Sequence, residues 1–321
     1  MKKIIAIICA ALMLLSLAAC SGFSAAKDDG KYTIGICQLV THDALDAATQ
    51  GFMDALTEEL GEENVTFDLQ NAAGDSNTCS SIVNQFVADD VDLIMANATP
   101  ALQAASAATE DIPILGTSVT EYGVAMGIDN FSGTVGGNVS GTSDLAPLDE
   151  QAAMIQEWFP DAKNVGLLYC SAEANSKYQV DTVQAYLEEM GYTCTQYAFA
   201  DSNDMAAVTQ SACDASDVIY VPTDNAVASG TGVIDGICRP AGVPVIAGEA
   251  GICSGCGVAT LSISYYDLGV ATGKMAAKVL TGEADISEMP VEYAATVTPK
   301  YNAEICEDLG LTPPDGYEPI A

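Results

Sequence analysis

The chain has 321 residues, 10 basic and 44 acidic, for a formal net charge of −34 at pH 7, and 49% of its residues are hydrophobic. Such a charge excludes nucleic acid and anionic lipid surfaces as partners of the folded body, because both would repel it. The length exceeds one typical domain and predicts two, with enough apolar residues for two cores.

Residues 1–19 read as a secretory signal peptide: Lys2 and Lys3 precede an uncharged apolar run, Ile4 to Leu17, that ends in Leu17-Ala18-Ala19-Cys20. The run is short for a membrane-spanning helix, which needs about 20 apolar residues. The cysteine after the small residues resembles a bacterial lipobox. That resemblance implies that Cys20 becomes the lipid-bearing N-terminus, with palmitate among its acyl chains, anchored on the extracytoplasmic face of the cell membrane. Residues 20–31 form a small, polar tether.

Strand-like and helix-like segments then alternate. Tyr32 to Cys37 is a strand. Ala44 to Leu60 is a helix with Leu45, Ala48, Phe52, Leu56 and Leu60 on one face. Strand Val65 to Gln70, helix Thr78 to Ala88, strand Val91 to Ala96, helix Pro100 to Thr109 and strand Ile112 to Leu115 complete a first series. Gly133 to Asp144, rich in Gly, Ser, Thr and Asn, reads as a crossing. The second series runs from helix Leu148 to Trp158 through strands Asn164 to Tyr169, Thr193 to Tyr197, Val218 to Val221 and Val243 to Ala247, with helix Ser176 to Met190 among them. It closes with helix Tyr266 to Leu280 and strand Val291 to Val297. Apolar strands alternating with helices predict an α/β protein of two doubly wound parallel sheets.

In open α/β sheets, ligands bind beyond the carboxyl ends of the strands. The first-lobe turns there hold Gln38 and His42, Thr99, then Ser118 and Thr120, with Tyr122 close by. Those of the second lobe hold Glu173 and Asn175, Asp224 and Asn225, and Glu249. Thr41 or Asp43 suits the N-cap of the first helix, and Thr99 that of a later one, ahead of Pro100. Capping explains each turn singly; together they exceed what capping needs.

Six motifs match a family in order: His42-Asp43-Ala44-Leu45-Asp46, Asn97-Ala98-Thr99-Pro100-Ala101, Gly136-Gly137-Asn138-Val139-Ser140-Gly141, Ser171 to Ser176, Tyr220 to Asn225, and Tyr265-Tyr266-Asp267-Leu268-Gly269. From about Lys31 to Leu311 the chain resembles the TrpX-type substrate-binding lipoproteins of ABC transporters, linked to tryptophan and tyrosine uptake. It departs from them at Asp43, where proline is usual, and at Glu121-Tyr122, where an Asp-Pro pair is usual. The resemblance implies a type I periplasmic-binding fold with two lobes joined by three crossings, near Ser143-Asp144, Leu261 to Tyr265 and Met289 to Val291. Residues 32–143 and 262–290 would form the N-terminal lobe, and 144–261 and 291–321 the C-terminal lobe. It further implies a monomer that closes on a small ligand and delivers it to ABC permease subunits.

An amino acid is a zwitterion, and a dry cleft must supply donors for its carboxylate and acceptors for its ammonium. Arg239, the only arginine, lies at a helix end away from the strand-end edge. Thr99, Ser118, Thr120 and nearby amides at helix N-termini are therefore the carboxylate donors. Asp224 ranks first as ammonium acceptor and Glu173 second. Asn225, Asn175 and Gln38 complete the hydrogen bonds, and Tyr265, Tyr122 and His42 flank an aromatic side chain. The runner-up ligands are another amino acid or a sugar, and an exported enzyme is the remaining class. His42 has no serine or acid partner for catalysis and no cluster for a metal, so no cofactor or metal is expected.

The chain has 11 cysteines. Without Cys9 and Cys20, nine remain: Cys37, Cys79, Cys170, Cys194, Cys213, Cys238, Cys253, Cys256 and Cys306. An odd number cannot pair completely within one chain. Tolerance of thiols in an exported protein suits an anaerobic source. Cys253-Ser254-Gly255-Cys256 reads as a solvent-near loop, open to a local disulfide, rather than as a redox site.

Overall fold

The computed structural model describes residues 31–320, which belong to one compact unit. The signal segment, Cys20 and the tether up to residue 30 lie outside the described residues. In chain order the first elements are β1 (Tyr32–Gln38), α1 (Asp43–Leu60), β2 (Val65–Asn71), α2 (Ser76–Ala88), β3 (Leu93–Asn97), α3 (Thr99–Ala108), β4 (Ile114–Val119), α4 (Tyr122–Met126) and β5 (Val139–Ser143). Next come α5 (Leu148–Trp158), β6 (Asn164–Cys170), α6 (Ala174–Glu189), β7 (Thr193–Phe199), α7 (Ser202–Cys213), β8 (Val218–Val221), α8 (Asn225–Ala228), α9 (Thr231–Ala241), β9 (Val245–Ala247), α10 (Ala250–Cys256) and β10 (Ala259–Ser262). The last are α11 (Tyr265–Leu280), β11 (Glu292–Tyr293), β12 (Thr298–Tyr301), α12 (Ala303–Asp308) and β13 (Glu318–Pro319).

Two sheets result, ordered β11-β5-β4-β3-β1-β2 and β13-β12-β10-β9-β8-β6-β7. All neighbouring strands are parallel except the β10–β12 pair. Both faces of each sheet are covered, which is why the strands read as unbroken apolar runs. In the first sheet Ile34, Ile36 and Met95 pack into one cluster, Cys37 and Ile94 into another. In the second, Val165 and Leu167 face one core, Leu168 and Cys170 the other.

Helix α1 buries Leu45, Ala48, Phe52 and Leu56, the predicted stripe. Helix α11 follows the second sheet in sequence but packs on α1 against the first. The two helices touch at main-chain distance. A Cβ on Gly51 would lie 2.1 Å from the Tyr266 carbonyl oxygen, and one on Gly269 2.0 Å from that of Ala48. Only glycine fits at those positions. Polar contacts continue the join: Thr272 and Thr142 hydroxyls are 2.8 Å apart, and Thr142 and Thr117 hydroxyls 3.1 Å apart.

The chain passes between the sheets after β5, after β10 and after β11. The third passage lies at residues 294–297, later than Met289 to Val291. Val291 donates to the Gly133 carbonyl, and Glu292 and Tyr293 still pair with Thr142 and Ser143 of β5. Of the expected strand Val291 to Val297, only Glu292 and Tyr293 are strand, in β11 of the first sheet, and β12 of the second sheet begins just beyond it at Thr298. The Cys253–Cys256 segment is also not a loop: it lies in α10, with both thiols buried and unlinked. The nine cysteines of the described residues are all free.

Candidate ligand site

Both sheets present their strand ends to a shared cleft, and the cleft is closed. His42 Nε2 lies 3.2 Å from Asn225 Oδ1, joining the turn after β1 to α8 of the other lobe. Asn225 directs its amide nitrogen at Glu173, so its oxygen must accept, and His42 carries its proton on Nε2. Burial lowers the His42 pKa and keeps the ring neutral, although the Asn225 contact and the Glu173 charge oppose that shift. Beside this bridge a cavity of about 210 Å³ is lined from both lobes, by Leu39, Gly74 and Pro100 on one side and Cys170, Glu173 and Ala226 on the other.

On the first lobe, Thr99 does not cap α3. Ala98 is the residue before the helix, held at φ 91°, and Thr99 is the first helical residue. Its hydroxyl, 2% exposed with its residue, has no hydrogen-bond partner among the described residues. Ser118, with φ 54°, likewise has a buried hydroxyl without a partner. Ala98 and Ser118 both hold a sparsely populated positive φ. Thr120 is buried beside Asp144. Gln38 is placed at the edge but fully engaged: its amide nitrogen donates to the Val40 carbonyl and Asp46, and its oxygen accepts from Thr49. Neither Thr41 nor Asp43 caps α1, whose N-cap residue is His42, with no side-chain bond. Thr41 instead accepts from Asn71.

The carboxylates of the second lobe do cap. Asp224 accepts from the Cys170 and Val227 N–H groups at 2.7 and 2.9 Å, one on each oxygen. Glu173 accepts from the N–H groups of Asn225 and Ala226 and from the amides of Asn225 and Asn175. Glu249 accepts from the Gly251 and Ile252 N–H groups. N–H groups of α8, α10 and the strand ends thus engage all three. Burial pushes the Glu249 carboxyl up to about 7 and raises that of Asp224, which also feels Glu173.

Asp144, which the sequence places only in a crossing, is the exception. It is 4% exposed; Oδ2 accepts from the Tyr265 hydroxyl at 2.9 Å, and Oδ1 has no partner of hydrogen-bond geometry among the described residues. Burial raises its pKa, and Tyr265 and Thr120 moderate the rise. On the facing lobe, Asn175 Oδ1 is also buried without a partner. Asp144 thus has an unpaired acceptor oxygen, whereas Asp224 and Glu173 already accept from N–H groups. Tyr265 holds Asp144. Tyr122 turns into the first core instead of flanking the cleft, its hydroxyl donating to the Thr142 carbonyl and its ring 6.4 Å from that of Phe131. Arg239 binds Asp235, Glu304 and Asp308 at 2.8 to 3.0 Å. Among the described residues none of the four buried carboxylates is paired with a lysine or arginine. The cleft therefore holds unpaired hydroxyls at Thr99 and Ser118 and unpaired acceptor oxygens at Asp144 and Asn175, with no lysine or arginine bound to its buried carboxylates among the described residues.

Residues 33–317 match the model of the ABC transporter substrate-binding protein family. The chain is 37% identical over 302 residues to a tyrosine-binding protein of Clostridioides difficile, covering 90% of this chain and 87% of that one. A structure of an ABC domain from Streptococcus pneumonia in complex with L-Trp superposes with a TM-score of 0.84 at 34% identity, covering 89% of this chain and 96% of the other. The ligand-free, open structure of a substrate-binding protein with adhesive properties from Clostridium difficile gives 0.68 at 38% identity, covering 90% and 100%. At similar identity the liganded structure fits better, as the His42–Asn225 bridge requires. With its fold and almost its whole length matched, the chain belongs to the ABC transporter substrate-binding protein family.

Proposed function

We propose that this substrate-binding protein captures an aromatic amino acid, tyrosine or tryptophan, between its lobes. The observation that carries the reading is the set of buried polar atoms without partners at the facing strand ends. Thr99 Oγ1 and Ser118 Oγ can donate; Asp144 Oδ1 and Asn175 Oδ1 can accept. Buried polar groups are otherwise nearly always paired, and this set complements one carboxylate and one ammonium. The first-turn amides of α3 add donors and a favourable dipole for the carboxylate. His42 and Tyr265 remain as ring neighbours for an aromatic side chain, and the named ligands of the two relatives support that class.

A sugar fits less well. The one tryptophan, Trp158, packs edge-on against Tyr317 at 5.3 Å, outside the cleft. Substrate-binding proteins of this family work outside the cytoplasm and are not enzymes. Cys20 anchors this one by lipid, and an ABC permease receives its cargo. Calorimetric titration with tyrosine, tryptophan, phenylalanine, leucine and glucose tests the ligand. Binding of leucine or glucose in preference to the aromatic amino acids would overturn it. Mass spectrometry of the mature N-terminal peptide tests the anchor, which requires an acylated Cys20.

A further inference from the structure

Four cysteines contact backbone carbonyls, and two pairs contact each other, Cys37 with Cys79 and Cys213 with Cys238. Cys170, Cys253, Cys256 and Cys306 point their thiols at backbone carbonyls, of Ala200, Gly257, Ile252 and Val258. Cys213 and Cys238 point at each other, with Sγ···Sγ 3.2 Å. They sit on α7 and α9, neighbouring helices over the same face of the second sheet, and both belong to that face's core. The bond length of a disulfide is roughly 2.05 Å, so the two sulfurs need approach by only about 1 Å. Outside the cytoplasm the thiol systems that keep cysteines reduced are absent.

We infer that Cys213 and Cys238 are a pre-aligned dithiol that a small disulfide converts into a cross-link between α7 and α9. In the first step a thiolate of one cysteine attacks a sulfur of the reagent disulfide and expels one small thiol. The second cysteine attacks the mixed disulfide and expels the other. Two electrons pass to the reagent, and the two protons lost by the cysteines end on the released thiols. Cys213 is the more exposed of the pair, at 7% against 2%, and is the entry point. Burial raises both thiols above the ordinary range, so the reaction is slow in the folded protein and proceeds through opening of the α7–α9 contact or during folding.

The test incubates the full chain with oxidised glutathione, alkylates it after unfolding, and maps its peptides without reductant. Expected are a linked pair of peptides carrying Cys213 and Cys238, and a melting temperature higher by several degrees. Dithiothreitol should reverse both changes, and C213A and C238A should abolish both. The inference is overturned if both residues stay fully alkylated in the parent protein, or if either links to a different cysteine. Because the parent itself is mapped, a variant that fails to fold does not decide the result.

Discussion

Replacing Asp144 by asparagine isolates its role in ligand capture. The substitution keeps the shape and leaves one oxygen for the Tyr265 hydroxyl, but puts an amide or a neutral oxygen where Oδ1 now stands alone. An ammonium would lose a charge-assisted bond inside a dry site. Truncating such a pair costs about 2–5 kcal/mol, which weakens binding by about 30- to 4,000-fold at 1.4 kcal per decade. The free protein should not suffer, because a buried carboxylate with a raised pKa is itself under strain from desolvation. Calorimetry with tyrosine and tryptophan, run beside thermal unfolding, reads both effects. Asp144→Asn should bind far more weakly at an unchanged or higher melting temperature. Asp224→Asn should do the reverse, since it deprives Cys170 or Val227 of an acceptor and unsettles the second lobe. Binding by Asp144→Asn within threefold of the parent, with Asp224→Asn losing a hundredfold at unchanged stability, would refute the assignment.

Thr99→Ala and Ser118→Ala should each weaken amino-acid binding by about tenfold or more in the same titration, because a buried carboxylate loses a donor. Arg239→Ala should leave affinity unchanged, as its three carboxylate partners lie outside the cleft. Gly269→Ala should lower stability by about 3 kcal/mol or more in urea unfolding, since its methyl would strike the Ala48 carbonyl. For Glu249, a folded pKa near 7 against 4.5 means that the folded state holds the extra proton between those values. Its contribution is thus lost as pH rises through that window, by on the order of 3 kcal/mol. Urea unfolding at pH 5 and pH 7.5 should show a smaller drop for Glu249→Gln than for the parent; an equal drop would count against the assignment.

The two sheets were legible because their central strands are buried on both faces, and residues such as Ile34, Ile36 and Cys37 leave no polar alternation to confuse the period. The third passage was not, since Val291 to Val297 reads as one strand although only Glu292 and Tyr293 pair, and the strand of the second sheet starts just beyond it. In the cleft, Thr99 and Ser118 were singled out by position, after strand ends, and their hydroxyls are buried and unpaired. The acidic residues were not told apart, because Asp and Glu before a helix look alike whether they cap or bind. Asp224 and Glu249 each precede a helix whose N–H groups take them, while Glu173 precedes α6 but is taken by the N–H groups of α8. Asp144 is four residues ahead of α5, behind Pro147, which has no N–H to offer. A buried acid with no helix to cap is the signal that would have found it. Tyr122 was misplaced because the short helix α4 that carries it has no periodic pattern long enough to read.

The main-chain contact between α1 and α11 also sets an order of events. Residues 265–280 are made after β6 to β10 of the second sheet, yet they supply the lid over one face of the first sheet. A chain growing from its N-terminus therefore exposes Phe52, Leu56 and their neighbours until that late helix arrives. The second series, whose β6 to β10 are contiguous in sequence, is the part that can consolidate first. Closing the first lobe then requires joining segments more than 200 residues apart, a slow step by loop closure alone.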